Sequence, residues 1–218
     1  MDSGINLPVL REGLIAFLVL IVSICIHEWA HAFTADRLGD DTPARQGRVT
    51  LNPVVHLDIL GSIIFPLVYI FIFPGVLLFG WGRPVALNVS NFRHPRRDEV
   101  LTTLAGPGAN LCLAFLGAVA GGVIYRHDPR TAELFGQIIA INVQLAVFNL
   151  IPLPPLDGGT VLRHAVGMRD ETYYTLARWS FLLLLIAFYL PPVRLILSGA
   201  MELTGRPFVE IYRVLAAR

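Results

Sequence analysis

The sequence predicts an all-α, polytopic transmembrane helix bundle, and three observations predict it. Hydrophobic residues make up 55% of the 218-residue chain and charged residues only 15%, where a soluble domain carries about 25% charged residues. Mean hydropathy is +0.63. Several apolar stretches have the length or near-length of a bilayer-crossing helix, about 20 residues. The length leaves little room for an appended soluble domain, so residues 1–218 are expected to form one integral membrane domain. A net charge of +1 argues against nucleic acid as a partner, and all 17 basic residues are Arg. Cys25 and Cys112 both lie in apolar segments and suggest neither a disulfide framework nor a cysteine-based zinc site.

Residues 14–35 form the first expected span, whose only ionisable groups besides Cys25 are His27, Glu28 and His31. The run follows a single basic residue, Arg11, and no small-x-small cleavage site intervenes. It therefore reads as a retained transmembrane helix and not as a secretory signal. Residues 36–56 are polar and include Arg37, Arg45 and Arg48. Within them, Val49 and Thr50 of the segment 47–53 suit a short β element at the membrane edge. Residues 57–80 are apolar but interrupted by Pro66 and Pro74-Gly75, and residues 81–99 make a basic loop with Arg83, Arg93, Arg96 and Arg97. Residues 100–125 are a second long span, 126–131 a turn, and 134–153 a third span that runs into the proline-rich stretch 152–159. Residues 160–168 are amphipathic, and a fourth span, 179–190, is stopped by Pro191-Pro192. The tail, 193–218, alternates apolar residues with Arg and suits a membrane-surface helix or a short span. Trp81, Tyr125, Trp179 and Tyr189 stand near span ends, where aromatic rings favour the interface. Gly117 and Gly121 have the spacing of close helix packing.

The sharpest chemical signal is His27-Glu28-Trp29-Ala30-His31. On a helix, positions i and i+4 share a face, so both imidazoles can offer a nitrogen to one metal ion. Glu28, beside the first ligand, can serve as general base toward a water that the ion acidifies. A carboxylate inside a bilayer is disfavoured by roughly 2.5–3.5 kcal/mol and persists where it has a partner or a function. A hydrolytic zinc site needs a third protein ligand. The acids in or against apolar segments are Asp58, Glu133 and Asp157. Asp157 is the best candidate, because it follows a long span and precedes Gly158-Gly159, which lets the chain bend. The competing reading of Asp157 is a helix N-cap. His56 reads as a hydrogen-bonded structural histidine, and His94, His127 and His164 as solvated.

These stretches resemble a known family. The HEWAH motif and the segment 149–159, Asn-Leu-Ile-Pro-Leu-Pro-Pro-Leu-Asp-Gly-Gly, are together similar to the site-2 proteases, the intramembrane zinc metalloproteases. The segment Ala105-Gly106-Pro107-Gly108-Ala109-Asn110 looks like a recurring family element. The resemblance implies one Zn2+ held by His27, His31 and Asp157, with Glu28 as catalytic base. It also implies a role for Asn149 in binding the substrate backbone or steadying an oxyanion. The implied substrates are transmembrane segments of other proteins, cut within or near the bilayer. On this reading 1–218 is a single metalloprotease domain. The rival class is a membrane metal transporter or channel that uses the His27/His31 helix as its metal site; it requires a path of further polar groups.

If His27, His31 and Asp157 meet, the chain between them crosses the membrane an even number of times. Residues 100–125 and 134–153 already supply two crossings. Residues 57–80 are too short for two more, which need about 40 residues. They are therefore expected to form a re-entrant hairpin bent near residues 66–75. The Arg-rich segments then fall on one face, which the positive-inside rule makes cytoplasmic. The expected location is a bacterial-type cell membrane, with the site nearer the cytoplasm.

Overall fold

The computed structural model describes residues 7–72 and 80–217, and every regular element among them is helical. Helix α1 spans Leu7–Leu38. It ends where Gly39 takes φ +114°, a conformation that a Cβ opposes, and Asp40 N–H donates back to Ala35 O at 3.0 Å. A four-residue helix, α2, Thr42–Arg45, follows. The buried Asp40 carboxylate accepts from the backbone N–H of Thr42 and Asn88 and from the Asn91 side chain. Burial alone would raise this carboxyl's pKa, but those hydrogen bonds outweigh it and leave the value below the usual carboxylate range.

The β element expected in residues 47–53 does not form. Asn52 instead accepts Val54 N–H and starts a 3-10 turn, Pro53–Val55. The chain pairs as sheet at one isolated antiparallel bridge, Leu57 with Gly82, among the described residues. Buried Arg48 fixes this region by donating to the carbonyls of Val55, Arg83 and Pro84.

Residues 58–72 begin with Asp58, whose carboxylate caps Gly61 N–H at 2.7 Å. A π-helical turn, Ile59–Ile64, leads into α3, Phe65–Ile72. The bend expected from Pro66 onward does not begin there: the helix passes through it. In a π register residue 66 would donate to Gly61 O, and proline cannot. Trp81 N–H supplies that donor at 3.3 Å. The rest of the expected bend, around Pro74-Gly75, lies outside the described residues. The two ends of the segment nevertheless meet, through the Leu57–Gly82 bridge and Arg83 N–H donating to His56 O at 2.7 Å. Its described ends therefore lie side by side.

Helix α4, Pro95–Tyr125, starts with Pro95 in its first turn, and Asp98 accepts His94 N–H at 2.8 Å. After a 3-10 turn, helix α5, Ala132–Asn149, runs back. It stops short of the expected residue 153 because Pro152 disfavours helix at Ile151. The short helix α6, Asp157–Val166, follows and ends at Gly167, φ +63°. Helices α7, Asp170–Tyr189, and α8, Pro191–Ala217, complete the chain. Three helical stretches among the described residues are long and apolar enough to cross a membrane: Leu7–Leu38, Pro95–Tyr125 and Pro129–Asn149. The fourth expected span is the C-terminal half of α7, whose first half is polar.

Helix α4 runs antiparallel to both α1 and α5 and touches each through small residues. A Cβ on Gly117 would lie 2.7 Å from Ile138, and one on Gly121 2.5 Å from Phe135, so the glycine spacing does set close packing. One apolar core joins Leu20 and Ile24 of α1 to Ile141 and Leu145 of α5 and Ile70 of α3. A second joins Ala114 and Ala118 to Ile139, Val143 and the α8 residues Phe208, Ile211 and Tyr212. The tail thus packs its C-terminal half along α4 and α5, and does not lie apart as a surface helix. Large apolar side chains such as Leu18, Val22 and Leu116 are exposed on the bundle's outside, while Ser23, Thr102, Asn110 and Asn142 are buried within. That inverted polarity suits a bundle solvated by lipid.

Candidate metal centre

The histidines lie on one face of α1 and the carboxylate on the first turn of α6, and the fold brings them together. His27 Nε2 is 3.3 Å from Asp157 Oδ2, His31 Nε2 is 3.5 Å from Asp157 Oδ1, and the two Nε2 atoms are 3.0 Å apart. All three residues offer donor atoms within 4.8 Å of one another. Asp157 caps nothing; Leu156 occupies the N-cap position and the carboxylate turns to the histidines.

Hydrogen bonds decide what these atoms present. His31 Nδ1 is 2.7 Å from the Thr102 carbonyl, which can only accept, so Nδ1 carries the proton. His27 Nδ1 is 2.6 Å from Asn110 Oδ1. The Asn110 amide is oriented by its own NH2 group, which donates to Asn142 Oδ1 at 3.0 Å and to Ser23 O. In the neutral tautomers both Nε2 atoms are therefore lone pairs, facing each other and a carboxylate whose buried Oδ2 receives no hydrogen bond. A single proton relieves one of these contacts; a dication relieves all of them. A tetrahedral zinc with donors about 2.0–2.1 Å away needs donor separations of roughly 3.3–3.4 Å, close to those found. Room for the ion is set by Gly106, where a Cβ would stand 2.3 Å from His31 Nε2 and 2.7 Å from His27 Cε1. The donor set, its tautomers and its space all fit zinc.

Glu28, 8% exposed, lines a cavity of about 400 Å3 together with His27, His31, Asp157 and Asn149. Its carboxylate makes no hydrogen bond among the described residues. Gly82 approaches it so closely that a Cβ there would be 2.9 Å from Oε1. Asn149 donates from Nδ2 to Leu145 O on its own helix and faces the same cavity. His56 is a structural histidine, as expected, with Nε2 2.7 Å from Thr50 O. Burial, reinforced by the nearby Arg48 charge, lowers its pKa. His164 departs from expectation: it is not solvated but pairs with Glu99 at 2.9 Å.

Gly106 and Asn110 stand in the sequence only as part of a recurring family segment with no role attached, and Thr102 and Asn142 are not marked as supports of the site at all. The signal that could have found the first three is their spacing of four along one apolar helix, the geometry of a single face.

A lipid-facing helix bundle that converges two imidazoles and a carboxylate beside a free carboxylate defines the class of an integral membrane metallohydrolase. Comparison places the chain further. Residues 125–187 match the model of Peptidase family M50. The chain is 38% identical over 202 residues to YwhC of Bacillus subtilis, covering 88% of this chain and 87% of that protein. It is 34% identical over 178 residues to Rip2 of Mycobacterium tuberculosis, covering 78% of this chain and 65% of that one. It is 43% identical over 63 residues to sll0528 of Synechocystis, covering 29% of this chain and 16% of that protein. All three relatives carry zinc metalloprotease names. The chain belongs to Peptidase family M50, the site-2 protease family. No solved structure matches it.

Proposed function

We propose that this protein is an intramembrane zinc metallopeptidase in which His27, His31 and Asp157 hold one Zn2+ and Glu28 is the catalytic base. The observation that carries this reading is the convergence of two Nε2 lone pairs and a carboxylate within 3.5 Å, from stretches of chain more than a hundred residues apart. Zinc, when bound, supplies Lewis acidity and lowers the pKa of water toward about 7. Glu28 accepts the proton of the attacking water and hands it to the leaving amine. The cavity lets a peptide reach this carboxylate, and Asn149 on its wall offers amide groups to the peptide backbone or to a developing oxyanion. Membrane-protein segments are the substrate class, since the site is embedded in an apolar bundle. Residues 1–218 act as one domain on this reading. The site-side segments carry Arg37, Arg45, Arg93, Arg96, Arg97 and Arg163, and this charge bias supports the reading that this end of the bundle faces the cytoplasm of a bacterial-type cell.

The transporter alternative needs additional polar groups free to pass an ion. The buried amides Asn110 and Asn142 are engaged with each other, and Asn110 also with His27 and the Ser23 backbone carbonyl. The decisive experiment is Glu28→Gln. Purified variant should keep its zinc, and cleavage of a membrane-embedded reporter should fall by about 10^2–10^4-fold. Unchanged cleavage, or wild-type protein devoid of zinc, defeats the proposal.

A further inference from the structure

Helix α6 delivers Asp157 to the histidines, yet little apolar packing holds it. Its only buried residues are Gly158 and Gly159. Both are pressed against the preceding loop: a Cβ on Gly158 would be 2.3 Å from Leu150 O, and one on Gly159 2.4 Å from Pro154 N. That contact fixes where the helix begins. A helix held at one end still pivots and rotates, and Asp157 stands on its first turn. The second point of attachment is at the other end, where Arg163 and His164 both reach Glu99 of α4. Arg163 donates to the two Glu99 oxygens at 3.1 and 3.0 Å, and His164 Nε2 lies 2.9 Å from Oε2. Glu99 is 7% exposed, and the side chains of Arg163 and His164 are each 16% exposed. Both Arg163 bonds come from Nη2, while Nη1 lies 3.4 Å from Asp170, so it is the combined grip of Arg163 and His164 on one carboxylate that restricts orientation as well as distance.

Glu99 occupies a telling position. Thr102, which anchors His31, follows it by three residues; Gly106, which makes room for the ion, by seven; Asn110, which anchors His27, by eleven. The spacing of three, four and four places all of them on one face of α4. One rigid helix therefore references both halves of the cluster.

We propose that Glu99 is a positioning residue for the metal set: through Arg163 and His164 it orients α6 so that Asp157 meets the histidines held by the same face of α4. This rests on the reading that His27, His31 and Asp157 bind zinc. Glu99 itself touches neither the ion's ligands nor the cavity. Its effect is on how long the carboxylate stays in place.

The test uses the purified full chain in detergent micelles loaded with Zn2+, with zinc content, release rate into a chromophoric chelator, and Tm measured together. Wild type should hold one zinc and His31→Ala none; a wild type without zinc overturns the underlying ligand assignment, not Glu99 in particular. Glu99→Gln should release zinc about tenfold faster or more, and Arg163→Met should do likewise. The charge reversal Glu99→Arg with Arg163→Glu should move the rate back toward wild type. In Co2+-loaded protein, Glu99→Gln should shift the visible absorption bands in the direction that Asp157→Ala does. Gly117→Leu, which disturbs helix packing far from the site, serves as the stability control. If folded Glu99→Gln and Arg163→Met release zinc at the wild-type rate, the positioning role is wrong. It is equally wrong if Gly117→Leu speeds release as much at the same loss of Tm, or if the charge reversal gives no recovery.

Discussion

The histidine half and the carboxylate half of the cluster are built in opposite ways. His27 and His31 sit within a 32-residue helix, buried at 6% and 9% exposure, and their outer nitrogens are fixed by neutral hydrogen bonds inside the bundle. Asp157 sits on a ten-residue helix whose far end is tied by ion pairs among partly exposed groups. The first half is rigid because it is deep. The second half is placed by ion pairs that join a buried Glu99 to the partly exposed Arg163 and His164 of a short helix with little apolar packing. On the proposed ligand assignment, the histidine pair is set by one long helix and the third ligand by the placement of one short element.

Substitutions can break this asymmetry, beginning with the most severe. Gly106→Ala puts a methyl 2.3 Å from His31 Nε2, and the Thr102 hydrogen bond leaves that ring no room to retreat. Zinc should be absent from the purified protein by metal analysis, while its circular dichroism remains helical. Retained zinc would show that the histidine half is softer than described. Asn110→Ala comes next. It strips His27 Nδ1 of its acceptor and leaves Asn142 without its donor, which should weaken zinc binding by roughly 10–100-fold in chelator competition. Gly117→Leu should behave differently again. Its side chain collides with Ile138 and should cost about 1–3 kcal/mol in a denaturation experiment, with zinc content unchanged, because the far end of α4 carries no part of the site.

The smallest expected effect concerns acid. The Asp40 carboxyl lies below its unfolded value of about 3.9. Its contribution to stability is therefore complete above that pH and fades as pH falls through the lower folded value. Thermal unfolding followed from about pH 6 down to about pH 3 should steepen for wild type relative to Asp40→Asn. Parallel curves would remove Asp40 from the account of how the loop at residues 88–91 is fastened to the end of α1.

The sequence made the rigid half legible and the carboxylate half only partly so. Two histidines at helical spacing around a glutamate in an apolar run state their geometry directly, since helix periodicity alone puts them together. Asp157 could be chosen because few acids touch apolar segments, yet nothing local distinguishes it from an N-cap. Its partner is decided by a tertiary approach. The Glu99–Arg163–His164 contact was unreadable for the same reason: three polar residues at span ends look solvated until the fold closes over them. The β element expected around Val49 and Thr50 failed because propensity needs a partner strand, and the neighbouring backbone groups of Thr50, Val54 and Val55 are taken by His56, Asn52 and Arg48 instead. The tail misled through its mixed composition. Its arginines drew attention to the membrane surface, while Phe208, Ile211 and Tyr212 form the ridge that fits the small residues of α4 and the wall of α5.

The bridge between Leu57 and Gly82, with Arg83 bonded to His56, works as a clasp. The described residues between its two halves are also seated on the bundle, since Ile70 shares a core with Leu20 and Ile24 of α1, so a volume change at Ile70 is felt along the helix that carries both histidines.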